Sequence, residues 1–340
     1  MKILIMAGGK GTRFWPRSVS GKPKQFLALT GTETMIQLTY RRFLKWLPQT
    51  SVYVVAPVSY LDMIAEQLPE LNREQIIVEP EQRDTGPCIA LAAMHFLSGG
   101  QDEVLVTTPS DQYIPEDGPL LEALKLAEET ANAGRNIVTL GIVPTRPETG
   151  YGYIEAEEEG REARPVKVRS FVEKPTLDKA EKLFTQSNMY WNSGIFIWKP
   201  STIAHYMQLH QPRLWELLNR DPAHPELVYG KVPKLSVDYA ILEKAEAIYT
   251  IPVSFPWDDV GTWTSLERIF PPDSEGNVSM GHVHTLATSN SILFSEHLQS
   301  VVIGVRDLIV VSTEAGLLIC HKSMEQQIKD VIHALEHKEE

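Results

Sequence analysis

The first 32 residues contain six Lys and Arg residues and no Asp or Glu, although the chain has a formal net charge of −12. Most of these cations surround the run Gly8-Gly9-Lys10-Gly11-Thr12-Arg13, which follows an apolar stretch typical of a buried strand. Glycines after a strand let backbone N–H groups approach an anion closely. The spacing predicts a polyphosphate-binding loop, and the alternative of a solvated surface loop is disfavoured because such charge runs usually mix signs. The cations around the run are Lys10, Arg13, Arg17, Lys22 and Lys24.

This loop differs from two common phosphate-binding motifs. A dinucleotide-binding fingerprint requires a third glycine where this chain has Phe14. A Walker A loop requires Ser or Thr after Gly21-Lys22, where this chain has Pro23. The loop also continues through Pro16 and Pro23, so we expect a long basic lid that does not open directly into a helix.

Two distant segments carry carboxylates that could hold a metal ion. Asp111 follows a very apolar candidate strand, and Asp259 lies in a segment flanked by Trp257 and Trp263. Mg²⁺ is commonly held by one or two protein carboxylates together with substrate phosphate oxygens, so this pair is a candidate magnesium site. A lone Asp at a strand end can instead cap a helix or form a turn, and spacing alone leaves that alternative open.

Three further segments have side chains suited to a sugar-like ligand. The turn at residues 147–153 combines glycines with tyrosines, Glu173-Lys174 ends an apolar strand, and Asn192 offers both donors and an acceptor. Two of them also have a plain structural explanation, because the first can be a strand-to-strand turn and the second a solvated ion pair.

Composition limits the class of protein. The chain has 340 residues, enough for one large core or two domains, and its 43% hydrophobic and 22% charged content is ordinary for globular proteins. It contains no 18-residue apolar run, and its beginning is typical of a strand, so we expect no membrane span, no signal peptide and a cytoplasmic location. Net negative charge argues against nucleic-acid binding. We expect Cys88 and Cys320 to be reduced.

Apolar runs alternate with helical periodicity through the first three-quarters of the chain, which predicts an α/β fold with a doubly wound, mostly parallel sheet. In such a sheet, ligands bind beyond the carboxyl ends of the strands. Candidate strands occupy residues 52–56, 76–78, 103–107, 137–143, 168–172 and 195–198. Candidate helices occupy residues 35–47, 60–68, 89–97, 120–133 and 177–187.

The sequence pattern changes at residues 271–277, Pro-Pro-Asp-Ser-Glu-Gly-Asn, which is the best candidate for a linker. We therefore expect a catalytic domain at residues 1–272 and a small all-β unit with a terminal helix at residues 273–340. The β-branched runs at 291–294, 301–305, 308–311 and 317–319 are its candidate strands, and residues 324–335 its helix. Its apolar strands favour a homodimer surface.

In order along the chain, these segments resemble the sugar-1-phosphate nucleotidyltransferases, and most closely their mannose-1-phosphate guanylyltransferase branch. The family motif G-G-x-G-T-R with a following P-K-Q element is present at residues 8–13 and 23–25. Residues 13–16, 147–152, 190–194 and 236–240 favour the guanylyltransferase branch. The similarity runs from Ala7 to about Trp263 and continues around residues 307–311.

The resemblance implies a nucleotidyltransferase domain with a left-handed β-helix-like tail, and transfer of GMP from GTP to mannose 1-phosphate with Mg²⁺ as cofactor. It implies nucleotide binding by Ala7, Gly8, Gly9, Gly11, Thr12, Arg13, Lys22, Glu79, Pro87 and Asp111. It implies sugar-phosphate binding by Gly150, Glu173, Lys174 and Asn192. It implies catalytic roles for Arg13, Lys22, Asp111, Lys174 and Asp259, with Asp111 and Asp259 as metal ligands.

The chain departs from the family's R-N-T-A-P segment, since it has Arg83-Asp84-Thr85-Gly86-Pro87. Glu79, Glu81 or Asp84 is expected to pair with guanine N–H groups. Phosphate neutralisation and alignment suffice for this chemistry, so we expect direct transfer without a covalent enzyme intermediate. No isomerase activity is expected, because the chain ends after the tail. The alternatives are another hexose-1-phosphate nucleotidyltransferase and a non-catalytic sugar-nucleotide-binding regulator.

Overall fold

A computed structural model describes residues 1–9, 11–160, 164–222 and 224–336, so Lys10 lies outside the described residues. The chain forms two compact units. The first comprises Met1–Gly8, Tyr40–Ser110 and Ile114–Trp257, and the second comprises Gly9–Thr39, Asp111–Tyr113 and Asp258–Glu340. The predicted domain boundary after residue 272 stays a prediction.

The first unit is built on a mixed sheet with the strand order β3-β2-β1-β4-β8-β5-β9-β7-β6. Its strands are β1 (Lys2–Met6), β2 (Val52–Pro57), β3 (Ile76–Glu79), β4 (Leu105–Pro109), β5 (Ile137–Ile142), β6 (Tyr153–Ala156), β7 (Val166–Val172), β8 (Met189–Trp198) and β9 (Ile248–Val253). Strands β1 to β4 pair in parallel, as predicted. Strand β8 instead runs antiparallel to β4, β5 and β6, so the α/β class is confirmed while the sheet is mixed rather than mostly parallel.

The helices up to residue 229 are α1 (Met35–Leu44), α2 (Leu61–Gln67), α3 (Thr85–Ser98), α4 (Asp117–Asn132), α5 (Leu177–Phe184), α6 (Pro200–His210), α7 (Pro212–Asn219) and α8 (Glu226–Tyr229). Helix α3 is apolar around most of its circumference, and it is accordingly buried from Gly86 to Met94. Helices α6 and α7 each begin with proline, which lacks the N–H group that a first helical residue leaves unpaired.

The second unit contains a small sheet with the strand order β10-β11-β12-β13. Its strands are β10 (Val278–Leu286), β11 (Ile292–Ile303), β12 (Leu308–Thr313) and β13 (Gly316–His321), and helix α9 (Ile328–Glu336) follows. Strands β10, β11 and β12 pair in parallel despite short connections, as in successive coils of a β-helix. The chain turns a corner within β10 at Gly281, where φ is +79° and an added Cβ would lie 2.0 Å from the Ser295 carbonyl oxygen.

The basic loop belongs to the hydrophobic core of this second unit. Phe14 and Trp263 are both fully buried, with ring centroids 5.1 Å apart. The indole nitrogen of Trp263 donates to the Trp15 carbonyl oxygen. Burying one aromatic side chain contributes roughly 1.5–3 kcal/mol. Phe14, which stands where a dinucleotide-binding fingerprint requires glycine, therefore anchors this loop by packing.

Several elements differ from their sequence-based predictions. The tail segments 291–294 and 301–305 were expected as two strands, but they are the two ends of the single strand β11. The candidate strand at 195–198 is the last part of the longer β8. Sequence reasoning did not identify β6, β9, β10 or helices α6 to α8. Within the described residues, no helix has both the length and the apolar character needed to span a membrane.

Candidate active site

The glycine-rich loop and the following P-K-Q segment lie against each other in the second unit. Gly11 has φ of +64°, and a Cβ added there would lie 2.3 Å from the Cβ of Lys24. The side chain of Gln25 donates to the carbonyl oxygen of Gly9. Gly11 is therefore required both for its backbone conformation and for the close approach of the Lys24 backbone.

Lys24 joins the two carboxylate segments. Its Nζ atom lies 2.8 Å from Oδ2 of Asp111 and 2.5 Å from the backbone oxygen of Asp259. An antiparallel bridge between Tyr113 and Asp258 aligns the two segments, because each backbone donates to the other. The side chain of Asp111 and the backbone of Asp259 thus meet at one buried ammonium group, and the assignment of both carboxylates to a metal ion stays a prediction.

The adjacent carboxylates Asp258 and Asp259 have different surroundings. Asp258 is 4% exposed and forms two hydrogen bonds with the guanidinium of Arg268, which fixes the segment. Asp259 is half-buried, and its Oδ1 atom accepts from the backbone N–H of Gly261. Asp258 is the structural member of the pair, and Asp259 is the candidate ligand.

Three other basic side chains of the loop have different surroundings. Arg13 has a buried Nε atom without a hydrogen-bond partner, a donor left for an anion. Arg17 packs its guanidinium 4.4 Å from the centre of the Phe294 ring and donates to the Ala28 carbonyl oxygen, so its role is structural. Lys22 is exposed in the turn that pairs with Val19. Lys24 was counted among the cations around the predicted polyphosphate loop, but no catalytic or binding role of its own was predicted for it from the sequence.

The predicted hexose-binding residues belong to the first unit, where the start of β6 pairs with the end of β7 and with Trp191 of β8. A Cβ added to Gly152 would lie 2.7 Å from Oε2 of Glu173, and the backbone N–H of Asn192 donates to the Gly152 carbonyl oxygen. The structure therefore brings Glu173 and Asn192 together beside Gly152. Sequence reasoning assigned Gly150 to this site and did not single out Gly152. Gly150 is exposed and bonds instead to the Glu148 carboxylate. Lys174 extends from φ of +39° and forms a 2.6 Å ion pair with Glu173.

Aromatic packing fixes the glycine-containing turn beside these residues. The Tyr151 ring centroid lies 5.1 Å from that of Trp191 and 5.1 Å from that of Trp257. The Arg146 guanidinium lies 4.8 Å from the Trp191 ring and donates to the hydroxyl oxygen of Tyr151. A turn held in this way can present its backbone to a ligand with little loss of entropy.

A buried carboxylate lies at the end of β3. Glu79 is 3% exposed, its Oε1 atom accepts from the Tyr229 hydroxyl at 2.8 Å, and a Cβ added to Gly8 would lie 3.8 Å from its Oε2 atom. Burial raises the pKa of Glu79, and the hydrogen bond from Tyr229 opposes that rise. Gln82, which the sequence did not single out, donates to the carbonyl oxygen of Gly8.

The remaining predicted nucleotide-binding residues have defined places in the backbone. Ala7 is buried and bonded to β2, Thr12 begins the 3-10 turn Thr12–Phe14, and Pro87 lies in the buried first turn of α3. Ala7, Gly8, Glu79 and Pro87 belong to the first unit. Gly9, Gly11, Thr12, Arg13, Lys22 and Asp111 belong to the second.

Local packing explains why residues 83–87 differ from the R-N-T-A-P segment of the family. A Cβ added to Gly86 would lie 2.6 Å from the Leu235 carbonyl oxygen, which the Gly86 N–H itself bonds. Asp84 has φ of +72° and accepts from the N–H of Thr85 at the start of α3. Glu81 pairs with Arg83. Of the three carboxylates considered for guanine, Glu79 is therefore the buried one, while Glu81 and Asp84 are exposed.

The second unit has oxygen ligands suited to Mg²⁺. The Asp111 carboxylate and the Asp259 backbone oxygen both contact Lys24, and carboxylate oxygens such as those of Asp111 and Asp259 are hard donors of the kind that fits the ion. Among the described residues, no cluster of three or more His, Cys, Asp or Glu could hold a metal ion. Two protein carboxylates plus phosphate oxygens match the way in which Mg²⁺ is bound beside nucleotides.

Comparison with known proteins reveals similarity over nearly the whole chain. A sequence model described as nucleotidyl transferase matches residues 2–275, and one described as MannoseP isomerase/GMP-like beta-helix domain matches residues 281–335. The second match confirms the predicted β-helix-like tail.

Individual relatives are similar over the same extent. Mannose-1-phosphate guanylyltransferase 2 of Escherichia coli O157:H7 is 36% identical, over 98% of this chain and 73% of the relative. Mannose-1-phosphate guanylyltransferase RfbM of Salmonella typhimurium is 35% identical, over 98% and 72%. A Thermus thermophilus structure described as mannose-1-phosphate geranyltransferase has a TM-score of 0.89 at 34% identity, covering 98% of this chain and 99% of its own.

Proposed function

This chain belongs to the nucleotidyl transferase family, and we propose that it transfers GMP from GTP to α-D-mannose 1-phosphate, giving GDP-mannose and pyrophosphate. The names of the Escherichia and Salmonella relatives support this choice of substrates. The structural observation that carries the proposal is the convergence of Asp111 and Asp259 on Lys24. A buried cation that contacts the Asp111 carboxylate and the Asp259 backbone, in a segment packed against a glycine-rich loop, suits the handling of a polyphosphate.

In the proposed reaction, a phosphate oxygen of mannose 1-phosphate attacks the α-phosphorus of GTP. The new P–O bond forms as the bond from the α-phosphorus to the bridging oxygen breaks, and pyrophosphate leaves with the bonding electrons. Both reactants are anionic, so protein cations must offset their repulsion. The transfer is direct, and a trapped guanylyl-protein adduct would contradict it.

The cations divide this work between them. Arg13 offers its unpartnered Nε donor to the triphosphate, and Lys24 offers an ammonium group held by Asp111. Lys174 supplies a charge for the sugar phosphate, and Glu173 with Asn192 binds hexose hydroxyls. Asp111 and Asp259 would hold Mg²⁺, which would supply further neutralisation of phosphate charge. The proposed triphosphate contact of Lys22 rests on the sequence resemblance, because this side chain is exposed.

In this proposal, Glu79 recognises the guanine base of GTP. A carboxylate can accept from both the ring N–H and the amino group of guanine, whereas adenine lacks that arrangement of donors. The Tyr229 hydroxyl occupies Oε1, while Oε2 lies on the side of Gly8. The homodimer and the cytoplasmic location expected from the sequence stay predictions.

Substrate competition tests the proposed function. Purified protein is given Mg²⁺, all four nucleoside triphosphates and one hexose 1-phosphate at a time, and sugar-nucleotide products are identified by mass spectrometry. GDP-mannose should dominate. A different base or hexose in the product would reject the substrate assignment while keeping the chemistry. Absence of product from every combination would favour the non-catalytic binding protein.

A further inference from the structure

One carboxylate beside the hexose residues has no role in the proposed function. Asp238 begins a short π-helix, Asp238–Leu242, within the sequence Ser236-Val237-Asp238-Tyr239-Ala240. Its side chain is partly buried, and its Oδ1 atom accepts from the amide nitrogen of Asn192 at 3.4 Å. Asp238 therefore shares the surroundings of a proposed sugar-binding side chain.

The backbone around Asp238 is held in place by helix α3. The N–H of Val237 donates to the Thr85 hydroxyl at 2.8 Å, and the carbonyl oxygen of Leu235 accepts from the N–H of Gly86 at 2.9 Å. These contacts leave Asp238 at the end of a fixed segment. A side chain so placed loses little conformational entropy when it binds a ligand.

The amide of Asn192 has most of its hydrogen-bonding capacity used by the protein. Its Oδ1 atom accepts from the Gly194 N–H at 3.1 Å and from the Thr139 hydroxyl at 3.5 Å. Its Nδ2 atom gives one hydrogen to Asp238. A primary amide nitrogen carries two hydrogens, so a second N–H remains to be offered to a ligand oxygen.

A sugar hydroxyl matches this arrangement because it is both acceptor and donor. We propose that Asp238 is a further hexose-recognition residue, which accepts a hydrogen bond from a hydroxyl group that itself accepts from Asn192. This inference rests on the proposed function, since it assigns one more contact to the hexose 1-phosphate. The pair recognises a hydroxyl group, and Lys174 provides the charge for the phosphate.

The local electrostatics are consistent with a carboxylate kept for binding rather than for stability. Burial, and then the charge of Glu173, raise the pKa of Asp238 to about 6; Asp84 adds to the rise and Lys174 opposes it. Because the pKa of Asp238 is raised in the folded state, its proton stabilises the fold at low pH, and that contribution is lost as pH rises through the folded-state pKa of about 6. A variant with an uncharged residue of the same shape at position 238 should therefore be more stable to unfolding than the wild type at neutral pH.

The isosteric variant Asp238→Asn separates recognition from structure. It keeps an oxygen for Asn192 but replaces one ligand acceptor with a donor. We expect its KM for mannose 1-phosphate to rise roughly 10- to 100-fold, as for loss of a hydrogen bond to a charged group. KM for GTP and kcat should change by less than about twofold. Its melting temperature should exceed that of the wild type at about pH 8, with a smaller difference at about pH 5.

The matched control is Glu243→Gln, the same chemical change on an exposed carboxylate at the end of the same π-helix. It should leave both KM values as in the wild type. An unchanged KM for mannose 1-phosphate in Asp238→Asn would overturn the inference. So would a lowered melting temperature with GTP and mannose 1-phosphate affected equally, because that pattern indicates a structural role.

Analogues of mannose 1-phosphate that each lack one hydroxyl group identify the partner atom. Loss of that hydroxyl should weaken binding to the wild type but add little to the defect of Asp238→Asn, since interacting groups are not additive. Additive effects for every analogue would contradict direct contact. Calorimetric titration with mannose 1-phosphate alone separates the two claims. Binding without turnover would reject the transferase function and still test Asp238, whereas absence of binding to the wild type would reject both.

Discussion

The Nζ atom of Lys24 lies 2.8 Å from the Oδ2 atom of Asp111, a pairing that joins the P-K-Q segment to the carboxylate after β4. Lys24 is 5% exposed, so its charge is largely removed from water and is balanced by groups of the second unit. The Asp111 side chain is 32% exposed, so Lys24 is the buried member of the pair, and removal of Asp111 would leave a buried ammonium group without its carboxylate partner.

Replacing Lys24 with methionine tests which lysine serves the phosphates. We expect Lys24→Met to lower kcat/KM for GTP at least about 100-fold, as for loss of a preorganised electrostatic contact. Lys22→Met should have the smaller effect because Lys22 is exposed in its turn. Steady-state pyrophosphate release measures both. The reverse order would restore the role assigned to Lys22 from the sequence.

Gly11→Ala should destabilise the protein by about 2–4 kcal/mol, which combines the left-handed backbone with a Cβ overlap. The overlap is with Lys24 at 2.3 Å, whereas a Cβ added to the control position Gly21 meets nothing within 4 Å. Urea unfolding of Gly11→Ala and Gly21→Ala measures the difference. Equal stability of the two variants would contradict the close packing of the loop.

Gly152→Ala should impair sugar binding with little effect on stability. The added Cβ would lie 2.7 Å from Oε2 of Glu173, and this side chain is flexible enough to move away. We expect KM for mannose 1-phosphate to rise about tenfold because the displaced carboxylate no longer meets its hydroxyl. Gly118→Ala, where space is open, is the control. A fall in kcat with unchanged KM would argue against this placement of the hexose.

Tyr229→Phe should destabilise the protein by about 1–3 kcal/mol, since it leaves the buried Glu79 carboxylate short of a donor. Burial raises the pKa of Glu79 in the folded protein. Protonated Glu79 therefore stabilises the fold at low pH, and this stabilisation is lost as pH rises through the folded-state pKa. Without Tyr229 the pKa rises further. The stability difference from the wild type should therefore grow with pH, and thermal unfolding measured across the acidic to neutral range checks it. A constant difference would separate Tyr229 from the ionisation of Glu79.

The sequence was informative where local pattern determines structure. The apolar runs predicted β1 to β4, and the central strands β1 and β4 are buried on both faces. Strand β8 was recognised only at its end, because Asn192-Ser193-Gly194 interrupts the apolar pattern in the middle of the strand. That interruption contains Asn192, whose amide is proposed to bind the hexose, so a residue proposed for function breaks the apolar pattern there.

The site was less predictable than the fold because long-range pairing decides which side chains converge. Lys22 and Lys24 are only two residues apart, but the turn with Val19 leaves Lys22 in solvent, whereas Lys24 contacts the Asp111 carboxylate and the Asp259 backbone. Asp258 and Asp259 are adjacent, and the position of Arg268 determines that Asp258 is the structural one. Local spacing contains neither relationship.

The rate of pyrophosphate release from GTP and mannose 1-phosphate, in wild type and Asp111→Asn, tests the central claim most directly. The wild type should be active with this pair, and Asp111→Asn should be slower by at least about 100-fold. Asp330→Asn, an exposed carboxylate in α9, should match the wild type. Activity of Asp111→Asn equal to that of the wild type would contradict an active site built around Asp111.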